Sequence, residues 1–183
     1  MATDPRPALK VWDPLVRFLH WALVVSIALA WLTRHGGGAW HERIGYASLA
    51  LITLRVAWGW AGTGYARFGQ FIRGPGATLR YAQQIVAHRE PRYLGHNPLG
   101  GWMVVVLIAA VALVNFSGWL YTTDAYWGDE LIESIHNYFS IALLALVALH
   151  VAGVIVTSIR HRDNLIAVML HGRKRPPSDG DVC

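Results

Sequence analysis

Four long apolar stretches dominate the pattern of hydrophobic and polar positions along this chain. They lie at 15–33, 44–61, 102–121 and 134–159. Each is close to the length of about 20 residues that an α-helix needs to cross a bilayer, and none alternates between apolar and polar residues as a strand does. Because the bilayer interior accepts only helices and closed barrels, the pattern predicts an all-α integral membrane four-helix bundle, a single domain over 1–183.

A weaker amphipathic pattern lies between the second and third spans. Over 76–89 the apolar residues Leu79, Ala82 and Val86 recur at helical spacing, with arginine and glutamine between them. This spacing predicts a short helix, either on the cytoplasmic membrane surface or in a solvated loop. Asp13 and Pro14 suit the cap and first turn of span one, and the proline-rich tail after Arg173 is expected to be loose.

Composition narrows the class of protein. The chain is 54% hydrophobic and 15% charged, which excludes a disordered chain and argues against an ordinary cytosolic enzyme. The single cysteine, Cys183, excludes a disulfide framework and a thiolate metal cluster. The sequence contains no CxxCH motif, so a covalently attached c-type haem is excluded as well.

The distribution of charge predicts the orientation. The formal net charge is +5, but the basic residues flank the spans instead of forming one stripe, which indicates a lipid bilayer and no nucleic acid as the partner. Basic residues concentrate in the N-terminal segment (Arg6, Lys10 and Arg17), between spans two and three, and after span four. The loop 122–133 has none and is acidic. We therefore expect both termini in the cytoplasm and this loop in the periplasm.

Four of the nine histidines lie in or at the ends of the spans, where ionisable groups are costly and usually functional. Their positions along the spans place His41 and His136 at the periplasmic level and His20 and His150 at the cytoplasmic level. His136 and His150 are nearly four helical turns apart on one face, about 21 Å along the axis. Two imidazoles from different helices at one depth suit a six-coordinate haem iron, so the spacing predicts two b-type haems.

The alternatives for these histidines are structural hydrogen bonding, a proton relay, which normally needs carboxylates within the spans, and a zinc site, which prefers ligands at one level. For the haem ligands, we expect each second ring nitrogen to bond a carbonyl one turn earlier in its own helix.

Further residues fit the haem interpretation. Small residues would let a macrocycle or a neighbouring helix approach closely: Gly45, Gly118 and Gly153. Cations would pair with haem propionates or reach lipid headgroups: Arg55, Arg17 and Lys10. Asn115 and Ser117 are expected to form hydrogen bonds between helices. His96 suits either a quinone or propionate site or a turn before proline. The remaining histidines, including His35, are expected at the surface.

These motifs together resemble the bacterial cytochrome b561 and nickel-iron-hydrogenase b-type cytochrome family. The resemblance covers about 10–170. It rests on VWDPLVR (11–17) leading to His20, on His41 with Gly45 and Arg55, on His136 and His150, on GHNPLG (95–100), and on Asp163-Asn164-Leu165. It implies two bis-histidine haems and electron transfer linked to ubiquinone or menaquinone in the bacterial inner membrane.

Four functions remain open from the sequence. The first is electron transfer between the quinone pool and a periplasmic redox partner such as a c-type cytochrome, which would dock on the acidic loop. The second is a superoxide or quinone oxidoreductase, with Arg34 and Arg43 attracting an anion. The third is the haem-bearing anchor subunit of a hydrogenase- or dehydrogenase-type complex, and the fourth a haem-free transporter or structural bundle. No catalytic residue is assigned, and a homo-oligomer is compatible with all four.

Overall fold

The regular elements of the described residues are helices, apart from two strands of two residues each. The computed structural model describes residues 8–182; the charge counted at Arg6 and the single cysteine, Cys183, lie outside the described residues. The elements follow in the order β1 (Leu9–Lys10), α1 (Pro14–Thr33), α2 (Ala39–Ala61), a 3-10 turn (Gly64–Ala66), α3 (Phe68–Phe71), α4 (Pro75–Val86), α5 (Pro98–Tyr121), α6 (Glu130–His161), α7 (Leu165–His171) and β2 (Arg173–Lys174).

Helices α1, α2, α5 and α6 are long and apolar enough to cross a membrane, which confirms four candidate spans. They extend beyond the apolar stretches because capping groups, rather than hydropathy, set where a helix begins. Asp129 accepts hydrogen bonds from the Leu131 and Ile132 amides (2.9 and 3.0 Å) and so starts α6 four residues ahead of the apolar stretch. Asp13 caps α1 as expected, accepting from the Val16 amide at 2.9 Å.

These helices display large apolar side chains on their outer surfaces. Phe18, Leu54, Ile141 and Ile159 are each more than half exposed. Exposed apolar surface on this scale is unfavourable in water and is typical of helices that face lipid. The chain is therefore a membrane protein.

The chain divides into two compact units. Unit 2 comprises Phe18–Ala57 and Val105–Leu149 and contains parts of all four long helices. Its core is a cluster of Ile52, Val111 and Leu143, with Leu23 and Ile27 of α1 packed against it. All four helices thus contribute apolar side chains to one core. Asn115 donates a hydrogen bond to Ser48 (3.2 Å), which confirms the bond between helices expected of this residue.

Unit 1 comprises Met1–Arg17, Trp58–Val104 and His150–Cys183. Strands β1 and β2 pair antiparallel, and the carbonyl of Gly172 accepts from the Val11 and Trp12 amides. Gly172 has a φ of +82°, and a Cβ there would stand 2.7 Å from the Trp12 carbonyl oxygen, so this junction requires glycine.

The expectation of a loose tail after Arg173 is wrong, because β2 pairs and buried charges hold the segment that follows it. Lys174 is only 6% exposed and donates to the Tyr93 carbonyl at 2.9 Å. Asp163 is equally buried and binds Arg92 (2.8 Å) and Arg175 (3.1 Å), while Arg92 also binds Asp181 (2.5 Å). Asp163 and Asn164 also end one helix and begin the next, since the Asn164 side chain caps α7.

Helix α4 confirms the predicted short helix, with bounds Pro75–Val86 instead of 76–89. It is held at both ends. The Trp102 indole donates to the Arg73 carbonyl (3.0 Å) ahead of α4, and Arg160 donates to the Ile85 carbonyl (3.0 Å) in its last turn. Because Trp102 lies in α5 and Arg160 in α6, α4 is fastened to the ends of two membrane spans.

Candidate functional site

Two of the four span histidines lie together in unit 2. His41 is in the first turn of α2 and His136 in the second turn of α6. Their ring centroids are 6.2 Å apart and their planes are nearly perpendicular, at 87°. Both side chains are half-buried. The two imidazoles therefore face one small volume from different helices.

The Nδ1 atom of His41 is fixed by the end of α1. It donates to the carbonyl of Ala30 at 3.0 Å and lies 3.3 Å from the hydroxyl of Thr33. Ala30 is in the last turn of α1, where the carbonyls have no amide four residues ahead inside the helix. The histidine thus uses an acceptor that the helix itself leaves available.

The Nδ1 atom of His136 is held in the same way by α5. It donates to the carbonyl of Val114 at 3.1 Å and lies 3.1 Å from the hydroxyl of Ser117. The expected acceptor, a carbonyl one turn earlier in the histidine's own helix, is therefore wrong for both residues. A side chain that points outward from its own helix reaches the carbonyls of the neighbouring helix more readily than those one turn earlier in its own.

Gly118 makes this approach possible. A Cβ at this position would stand 3.0 Å from Cε1 of His136 and 3.3 Å from its Nδ1. The sequence predicted that a macrocycle or a neighbouring helix would approach Gly118 closely. In the structure the group that approaches it is the imidazole of His136.

The His41–His136 pair is suited to hold a metal ion such as haem iron between its two rings. With Nδ1 donating its proton, Nε2 carries the lone pair that binds a metal. Two imidazoles bound to one metal ion from opposite sides, at metal–nitrogen distances of about 2 Å, place their ring centroids roughly 6 Å apart. The 6.2 Å separation agrees with this geometry. Within 8–182 no group of three or more His, Cys, Asp or Glu side chains could hold a metal ion on its own.

Comparison with protein families shows which class of membrane protein this chain belongs to. The family model of prokaryotic cytochrome b561 matches residues 11–172, which is most of the chain. The chain belongs to the prokaryotic cytochrome b561 family. It is accordingly a membrane b-type cytochrome that binds b-type haem and acts in electron transport. Neither the search of curated proteins nor the search of solved structures found a match.

Two other residues predicted for the cytochrome's site lie in unit 2. Arg55 is a buried cation within α2, 7% exposed. Gly45 has open space where its Cβ would be, with no atom within 4 Å. A guanidinium pairs well with a carboxylate, and a haem propionate carries such a group. The roles of Arg55 and Gly45 in cofactor binding remain predictions.

The second histidine pair is divided between the units. His20 belongs to unit 2, where its ring packs edge-on against Trp21 with centroids 5.2 Å apart. His150 belongs to unit 1. Arg17 is also in unit 1, where its guanidinium donates to the Leu170 carbonyl. The pairing of His20 with His150 therefore remains a prediction from helical spacing.

His96 lies between two aromatic rings in unit 1. Its ring centroid is 4.7 Å from that of Trp12 and 4.7 Å from that of Phe71. The next residue, Asn97, caps α5 by accepting from the Gly100 amide at 2.7 Å. The GHNPLG segment thus forms the start of a membrane span, as the interpretation of a turn before proline predicts.

Sequence reasoning missed Thr33 as a residue of the site and assigned Ser117 only to hydrogen bonding between helices. Each hydroxyl lies three residues after the carbonyl that accepts from a histidine. That spacing was visible in the sequence, but which histidine would reach each carbonyl depends on how the helices pack.

Proposed function

We propose that this protein is a di-haem b-type cytochrome that passes electrons between the quinone pool and a periplasmic redox partner such as a c-type cytochrome. The observation that carries the proposal is the His41–His136 pair, with ring centroids 6.2 Å apart and both Nδ1 atoms bonded to carbonyls. With Nδ1 of each ring donating to a carbonyl, Nε2 of each ring keeps the lone pair that can bind a metal.

Haem supplies reversible one-electron chemistry at iron. The residues of this chain then decide which chemistry is available. His41 and His136 would hold the iron between them and leave it no open position for oxygen, which favours electron transfer. The bonds from Nδ1 hold each ring in orientation and make it a stronger ligand. Arg55 supplies a buried positive charge for a propionate.

The second haem of the proposal is assigned to His20 and His150. Its support is the sequence: His150 follows His136 by nearly four helical turns and so faces the same direction at a different depth. Haems at two depths would connect the two faces of the membrane.

The periplasmic partner is proposed from the charge of the segment 122–133, which comprises the loop after α5 and the first turn of α6. Its carboxylates are exposed: Asp124, Asp129, Glu130 and Glu133. Trp127 is 74% exposed and stacks on Tyr121 with ring centroids 6.1 Å apart. An acidic surface with exposed aromatic residues suits a basic protein partner. The distribution of Lys and Arg supports a periplasmic position for this loop and cytoplasmic termini in the bacterial inner membrane.

A second candidate function, reduction of the haem by superoxide with quinone as electron acceptor, is favoured by two cations near His41. Arg34 and Arg43 are both exposed, and their guanidinium groups lie over the rings of Trp31 and Trp40 at 3.8 and 5.2 Å. Exposed cations at this position would attract a small anion.

The test uses the purified protein in lipid nanodiscs. A quinol is added, haem reduction is followed by absorbance, and an oxidised c-type cytochrome is then supplied. We expect quinol to reduce the haem and the c-type cytochrome to reoxidise it. His136→Ala should abolish this transfer, while His35→Ala, a change of an exposed loop histidine, should leave it intact. Haem that no quinol reduces would overturn the proposal. Rapid reduction by superoxide, slowed in Arg34→Gln and Arg43→Gln, would select the second candidate.

A further inference from the structure

The same arrangement of three groups holds both histidines of unit 2. In each case Nδ1 contacts a backbone carbonyl on a neighbouring helix and a hydroxyl three residues further along that helix. For His41 these groups are the Ala30 carbonyl and the Thr33 hydroxyl, and for His136 they are the Val114 carbonyl and the Ser117 hydroxyl. Two different helices thus provide the same support to two different ligands.

Each hydroxyl also donates a proton to a carbonyl of its own helix. Thr33 Oγ1 donates to the Leu29 carbonyl at 2.8 Å and lies 3.2 Å from the Ala30 carbonyl, and Ser117 Oγ donates to the Val114 carbonyl at 3.0 Å. A hydroxyl that donates one hydrogen bond becomes a better acceptor for another. The oxygen that each Nδ1–H approaches is therefore polarised by its own bond to the helix.

Bonds from a hydroxyl to the carbonyl three or four residues earlier are common in membrane helices, and unit 2 contains others that serve no histidine. Ser26 is one: it is 7% exposed and its Oγ donates to the Leu23 carbonyl at 3.0 Å. Ser117 is buried to a similar degree, at 3% exposed, and forms the same kind of bond. Contact with an imidazole is what distinguishes Ser117 from Ser26.

We propose that Thr33 and Ser117 are positioning residues that fix the planes of His41 and His136 and lower the midpoint potential of the haem between them. This inference rests on the proposed function, because it assumes that these two histidines are haem ligands. A second acceptor for Nδ1–H increases electron density on the imidazole, which favours ferric over ferrous iron. The hydroxyls also restrict rotation of each ring, which keeps the two planes close to perpendicular.

The experiment compares Thr33→Val, Ser117→Ala and the double variant with the unchanged protein. Haem per chain, the midpoint potential and the electron paramagnetic resonance spectrum, which reports the angle between the ligand planes, are measured on the purified holoprotein. We expect haem to be retained and the potential to rise in each single variant. The double variant should show a larger rise, since the two residues act on opposite ligands of one iron.

Three variants serve as controls. Ser26→Ala removes a buried hydroxyl of the same type and should change neither potential nor spectrum. Thr33→Ser and Ser117→Thr keep the hydroxyl and should restore both. If Ser117→Ala loses its haem, Ser117→Cys provides the measurement, because a thiol is a weaker donor and acceptor and should give a smaller rise.

The possible failures are distinguishable. A haem-bearing protein whose potential and spectrum do not change in Thr33→Val and Ser117→Ala would overturn the positioning role and leave the proposed function intact. An unchanged protein that contains no haem would overturn the proposed function itself.

Discussion

The ring of His136 packs directly over the backbone of Gly118, so close that a single added carbon would stand 3.0 Å from its Cε1 atom. Ser117, the preceding residue, bonds the same ring at Nδ1. One short segment of α5 therefore determines how near the imidazole lies and which way it faces. An imidazole held in this manner has a fixed orientation without any bound cofactor.

Replacing Gly118 should displace this ligand. Gly118→Ala requires the imidazole to move by a few tenths of an ångström, and Gly118→Leu leaves it no room. We expect Gly118→Ala to shift the haem potential and Gly118→Leu to remove one haem per chain, measured by pyridine haemochrome. Gly69→Ala is the control, since nothing lies within 4 Å of its added Cβ. Full haem content in Gly118→Leu would contradict this role.

Neutralising the acidic loop should slow docking of a basic redox partner. Asp124→Asn and Glu130→Gln remove exposed charges, whereas Asp129 is kept because it caps α6. The double variant should lower the association rate by up to roughly tenfold at low ionic strength, and the difference should vanish at high salt. Asp179 is an exposed residue of unit 1, so Asp179→Asn should leave the association rate unchanged. Stopped-flow reduction of a c-type cytochrome measures the rate, and equal rates at low salt would discard the docking surface.

Helix α4 should lie on the membrane surface. Leu79 and Val86 are 61% and 82% exposed and are two turns apart on one face, while Tyr81 on the opposite face is buried. Spin labels introduced by Leu79→Cys and Val86→Cys, in a Cys183→Ser background, should relax faster with oxygen than with a water-soluble nickel chelate. A label at Gln84→Cys should show the reverse. Water-like behaviour at all three positions would identify α4 as a solvated loop helix.

Lys174 should make stability depend on pH. Burial, together with the charge of Arg92, lowers the pKa of Lys174 to about 8 against the opposing effects of Asp163 and Asp181. Above pH 8 the folded lysine loses its proton while the unfolded lysine, with a pKa of about 10.4, retains it. The free energy of unfolding should therefore rise between about pH 8 and pH 10.

The variant Lys174→Met should flatten this rise, as measured by the thermal unfolding midpoint in detergent. Lys10→Met is the matched control because Lys10 is the other lysine of the chain and is exposed. Identical pH profiles for Lys174→Met and the unchanged protein would refute the assignment.

The sequence was sufficient for the four candidate spans and for bringing one pair of histidines together. Hydropathy places helices well in a membrane protein because lipid selects long apolar stretches, and Asp13 and Pro14 mark a helix start by local chemistry alone. Helix depth also placed His41 and His136 at one level, and the two rings do lie together. These features depend on periodicity and on neighbours close in the chain.

What the sequence could not predict depends on packing between distant segments. The carbonyls that accept from His41 and His136 lie 11 and 22 residues away along the chain, on other helices. The tail after Arg173 has a composition typical of a loose segment, yet Arg92 holds Asp181 from 89 residues away. No local pattern indicates such a partner, because a buried ion pair is visible only once both residues are placed.

The count of haem per chain tests the account most directly. A reduced-minus-oxidised spectrum with a pyridine haemochrome assay on the purified protein should give two b-type haems. His41→Ala and His136→Ala should each remove one haem, and the haem that remains should be the same in both variants. The double variant should also retain that one haem. A protein without haem, or His41→Ala and His136→Ala variants that lose different haems, would contradict the pairing on which the account depends.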